Sequence, residues 1–203
     1  MPEARARDAL LALSASLATR DVSRIRAALE RAAAEADAAA VEEVILQAHL
    51  FVGFPDALNA LGTWRQVSGL PAPEPLADDP AGWDARGERV CAEVYGANYA
   101  KLRRNVRELH PDVDGWMVAG GYGRVIGRPG LDLATRELCI AALLAAWNVP
   151  RQLHSHLRGA LNAGASVADV DRAVEIACGV ITDERAAEVR ALWAEVRGRA
   201  STA

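Results

Sequence analysis

The chain has 203 residues, of which 51% are apolar and only 5% aromatic, with a formal net charge of −4; that length can bury one good core or two small ones. Its basic residues are almost all arginines scattered among carboxylates, so no stripe suits a phosphate backbone and nucleic-acid binding is excluded as an expectation. No apolar run reaches the roughly 18 to 20 residues of a membrane span and Met1 to Arg20 lacks a signal peptide's layout, so a cytoplasmic protein with no membrane partner is expected.

Abundant alanine, few aromatics and short β-branched runs favour helices packed through small side chains, and the fold class expected is all-α. In chain order, the apolar spacing predicts helices over Glu3 to Thr19, Val22 to Glu35, Ala38 to Val52 and Pro55 to Val67. Asp37 is placed to cap the third, and Gly53 with Pro55 forms a stop followed by a start. Ser68 to Pro80 holds four prolines and divides the chain. The expected organisation is an N-terminal helical repeat at 1–67, a Pro-rich linker at 68–83 and a second domain at 84–203.

Beyond the linker, Asp84 to Arg107 reads as helical with a break near Gly96-Ala97-Asn98, and Asp112 to Val125 as another helix despite Gly120 and Gly121. Asp132 is placed to cap a long apolar helix ending at Trp147, Pro150 opens the next, and Gly164 suits the position just after its end. Ser166 with Asp169 resembles a capping box, and Thr182 precedes a last helix from Asp183 to Gly198. A shift of 129 residues aligns the two halves without a gap, pairing Arg7 with Arg136, Asp8 with Glu137, Ala48 with Ala177 and Trp64 with Trp193. An internal duplication is therefore expected, with the two tryptophans as core anchors.

Chemistry concentrates at Glu137 and His156, on the helices that flank Val149-Pro150. A carboxylate and an imidazole on two packed helices can pass a proton to and from a small substrate. Metal binding is not expected: His154 and His156 are two apart and diverge on a helix. The cysteines Cys91, Cys139 and Cys178 are odd in number with no CxxC spacing, which suits buried thiols better than disulfides. His49 lies in an apolar run and reads from its surroundings as a packed structural histidine. His110, before Pro111, also reads as structural.

Residues 85 to about 196 resemble the carboxymuconolactone decarboxylase family, which shares an all-α fold with the alkylhydroperoxidase D proteins. Arg89 to Tyr99, Gly127 to Leu131, Thr135-Arg136-Glu137-Leu138 and Gln152 to Gly164 carry the resemblance. A second patch, Val44 to Leu61, resembles the segment that normally follows the family's histidine helix. The resemblance implies an alkylhydroperoxidase D-like bundle in two tandem copies, and one composite pocket built from Glu137, His156 and the His49 region. It also implies a homo-oligomer.

Alkylhydroperoxidase D relatives carry two cysteines three apart, the second four residues before the histidine. Those positions here are Val149 and Gln152, which removes the nucleophile for thiol chemistry. The decarboxylase members are the better match and imply a cofactor-free reaction on a carboxylated lactone or related cyclic acid, with Glu137 and His156 as catalytic residues. His49, Arg128 and Arg151 are the implied substrate-binding residues. A catalytically silent binding or scaffolding protein is the alternative, and a cysteine-dependent antioxidant ranks last.

Overall fold

Four predicted starts, those after Asp21, Asp37, Asp132 and Ser166, are each fixed by a side chain that satisfies free amides of a first turn. The computed structural model describes residues 2–200, and among them there are ten α-helices and no strand. The first three are α1 (Pro2–Leu17), α2 (Val22–Glu35) and α3 (Ala38–Ser68). The second group comprises α4 (Trp83–Tyr95), α5 (Tyr99–Leu109) and α6 (Pro111–Gly115). It continues with α7 (Leu133–Trp147), α8 (Pro150–Asn162), α9 (Val167–Cys178) and α10 (Asp183–Ala200). Asp21, Asp37 and Asp132 cap α2, α3 and α7 through their carboxylates. Ser166 and Asp169 close a reciprocal capping box on α9, and Gly164, at φ 97°, follows the end of α8. His110 is structural in a specific way, its Nδ1 accepting the Asp112 amide at 3.1 Å to cap α6.

The third and fourth predicted helices meet inside α3 at a kink, where Gly53 leaves helical geometry at φ 82°, ψ 169°, and Pro55 lies just beyond it as predicted. By length and composition alone α3 taken whole is long and apolar enough to cross a membrane, but the kink at Gly53 divides it. It nevertheless buries Val41, Val44, Ile45, Ala48, Ala60 and Trp64 in the protein's own core.

A departure from expectation follows α6. In place of one α-helix to Val125, the chain widens into an eleven-residue π-helix, Trp116–Ile126. Its close neighbour is α4, where the two backbones nearly touch. A Cβ on Gly87 would lie 2.1 Å from the Val118 carbonyl oxygen, and one on Gly123 would lie 2.1 Å from that of Trp83. Gly120-Gly121-Tyr122-Gly123 is therefore a packing surface, not a phosphate loop.

Helix α7 runs through the middle of the core, with every residue from Thr135 to Ala146 buried. It packs on α8, α1 and α9. The 129-residue shift carries cap Asp37 onto cap Ser166 and the start of α3 onto the start of α9. Trp64 and Trp193 are both buried, and each donates its indole N–H to a carboxylate 22 residues upstream, Glu42 and Asp171. Those acceptors are themselves 129 apart in the sequence. The two groups also exchange ion pairs: α1 reaches α9 through Arg7–Asp169 and Asp8–Arg172, and α7 reaches α3 through Arg136–Glu43.

Candidate active site

Arg136 and Glu137 are neighbours on a helix buried on all sides, so each charge must find a partner within the protein. Successive helical positions point about 100° apart, which sends the two to different helices. Glu137, fully buried, turns to α8 and places Oε2 2.7 Å from Nδ1 of His156. With Glu137 as the carboxylate acceptor, Nδ1 carries the proton and Nε2 is left free. Nε2 has no hydrogen-bond partner among the described residues, and 8% of the His156 side chain remains exposed against none of Glu137.

The approach depends on a residue that the sequence reading did not single out. Gly159 lies one turn beyond His156, and a Cβ there would sit 2.5 Å from Glu137 Oε2 and 2.7 Å from Val94 Cγ1. Only glycine lets the carboxylate lie against α8. The other carboxylate oxygen, Oε1, has no hydrogen-bond partner among the described residues, so Glu137 is held by one oxygen. Tyr95 and Tyr122 stand nearby, edge to face at 6.1 Å between centroids. Burial first, with the Glu137 charge among the smaller causes, pushes the Tyr95 phenol up to about 12 and that of Tyr122 well above its usual value. Both stay protonated, so no second anion forms next to the carboxylate.

The other candidate residues lie apart from this pair. The ring against His156 is Phe51, edge-on at 6.1 Å between centroids. His49, two residues earlier on α3, faces elsewhere. Its Nδ1 meets the Leu46 carbonyl and its ring lies 5.0 Å from that of Phe54. It lines a separate cleft of about 180 Å³ with Leu46, Phe54, Arg124 and Arg128. Arg128 is at the same time bound to Glu43, at 3.0 Å through NH2. Arg151 is exposed in the first turn of α8. The structure thus joins Glu137 to His156, and His49 to Arg128, on different faces of α3. A helical wheel would have flagged Phe51, since residues two apart on a helix diverge by about 200°.

Glu43 is the hinge of a second charged cluster. It also accepts from Arg136 at 2.8 Å, and Arg136 in turn donates to the carbonyls of Arg128, Pro129 and Leu131. Burial pulls the Arg136 guanidinium below its usual value. This cluster anchors the turn before α7 and so sets the position of Glu137.

Thiol chemistry has little support. Val149 and Gln152 stand at the entrance of α8, and Cys91, Cys139 and Cys178 are all buried and free. Burial raises the Cys91 and Cys139 thiols to about 12, far from the thiolate that redox work requires. Among the described residues no group of three or more His, Cys, Asp or Glu side chains could hold a metal ion.

Peroxisomal protein 2 of Schizosaccharomyces pombe is 28% identical over 152 residues, covering 69% of this chain and 70% of that protein. The model of the carboxymuconolactone decarboxylase family matches residues 111–196, which include both Glu137 and His156. Through this region the chain is similar to the carboxymuconolactone decarboxylase family.

Proposed function

We propose that the protein is a cofactor-free carboxy-lyase acting on a carboxylated lactone or related cyclic acid. The observation that carries this reading is the 2.7 Å contact between the buried Glu137 carboxylate and His156 Nδ1, with Nε2 left unpartnered. Loss of carbon dioxide leaves the bonding electron pair on a conjugated carbon of the substrate. The His156 imidazolium donates its Nε2 proton to that carbon, and solvent then restores the proton. Glu137 holds the ring and its tautomer through Nδ1. The protein works as a homo-oligomer, and its two related helix groups descend from an internal duplication.

The test is turnover of a panel of unsaturated lactone acids in D2O, reading carbon dioxide release and deuterium at the product carbon. His156→Asn and Glu137→Gln are expected to lower kcat by about 10²- to 10⁴-fold with KM little changed. A second reading, a binding or scaffolding protein, is favoured by one observation: Glu137 and His156 line none of four surface clefts of the described chain. It predicts that both variants lose stability and that no acid in the panel is turned over.

A further inference from the structure

A cleft of about 200 Å³ lies between α4, α5 and α8, on a different face of α8 from His156. Its α8 wall is His154, Ser155, Arg158 and Asn162, and Lys101 and Asn105 face it from α5. Asn98 stands at the rim, and Val94, Tyr95 and Leu102 supply a short apolar floor. No carboxylate lines it, although the protein as a whole is net negative.

Lys101 is the only lysine in a chain whose 22 other cationic side chains are arginines. An ammonium is a compact point charge with three donors on a flexible stem, suited to closing on an oxyanion from one side. Arg158 supplies a planar fork from the facing helix. Lys101 and Arg158 are exposed, and among the described residues no carboxylate pairs with either, so both charges are available to a ligand in the cleft. The amide of Asn162 is fixed by donating to the Val94 carbonyl at 2.8 Å, so that wall is already ordered.

We infer that this cleft is a binding site for a small organic dianion, a phosphate monoester or a dicarboxylate with a short apolar body, separate from the Glu137–His156 site. Two facing cations match a doubly charged head, the amides and Ser155 supply further hydrogen bonds, and Val94, Tyr95 and Leu102 receive the body. The volume suits a ligand of metabolite size.

The sole lysine also provides the experiment. Reductive ¹³C-methylation keeps the charge and marks Lys101 as the one labelled side chain, which phenyl phosphate and phthalate are titrated against at low salt. Saturable shifts of that signal are expected with at least one dianion and not with phenol, and the tighter of the two identifies the head group. In calorimetry on the unlabelled protein, Lys101→Gln and Arg158→Gln are each expected to weaken binding by roughly tenfold or more. Arg104→Gln, an exposed cation of α5 outside the cleft, and His156→Asn should bind as the parent does. Failure of both dianions to bind, binding of phenol equal to phenyl phosphate, or equal weakening by Arg104→Gln would overturn the site.

Discussion

Arg136 and Glu137 show how one buried dipeptide can serve two purposes. Glu137 goes to a histidine on α8, whereas Arg136, with no exposed surface, is spent on Glu43 and three turn carbonyls. A buried ion pair is weak evidence for net stability, yet removing one member leaves the other uncompensated. Arg136→Met is therefore expected to cost about 3 to 5 kcal/mol in urea unfolding. Glu43 keeps Arg128 as a partner in that variant, so the double variant Arg136→Met with Glu43→Met should recover only the part of the loss that comes from the half-unpaired carboxylate. Equal loss in the two variants would show that the turn carbonyls, and not Glu43, dominate the role of Arg136. The pairing was not legible in the sequence: Glu43 and Arg136 lie 93 residues apart and each resembles an ordinary charge on an amphipathic helix.

At the scale of elements, local chemistry was readable and close packing was not. Asp37, Asp132, Ser166 and Gly164 marked their boundaries because capping is decided within a few residues. The π-helix at Trp116–Ile126 left no such mark, since its surroundings are set by α4, some thirty residues upstream. The glycines there carry the missing information. In an open helix Gly→Ala gains about 1 kcal/mol from propensity, and Gly62→Ala on α3, where a Cβ meets nothing within 4 Å, should gain roughly that. Gly87→Ala should change sign and lose about 1 to 3 kcal/mol, because its Cβ would overlap the Val118 carbonyl. Thermal unfolding of the two variants side by side checks this, and stabilisation by both would mean that α4 and the π-helix separate at little cost. The same limit explains the candidate site. The Glu137–His156 pair follows from two adjacent helices, while the face of α3 that meets His156 depends on where the kink at Gly53 sends the chain.

For the molecule as a whole, the question is what remains uncovered once the core is complete. On α3 beyond the kink, Phe54 and Leu58 sit one turn apart on one face and are 64% and 62% exposed. Single exposed apolar residues need no explanation, but a stripe at helical spacing is the surface that association would bury. Phe54 also packs on the His49 ring and, with Leu58, lines the cleft that holds Arg128. Contact between copies along this stripe would therefore close that cleft from outside and raise the strength of the arginine's interactions by excluding water. Light scattering on the purified chain is expected to report a mass of two or more subunits at micromolar concentration. Phe54→Lys combined with Leu58→Glu should shift it to a single subunit with helical circular dichroism unchanged, because both side chains point away from the core. If the parent chain is already monomeric at those concentrations, the stripe is not a subunit interface and the His49 cleft opens to solvent in the working protein.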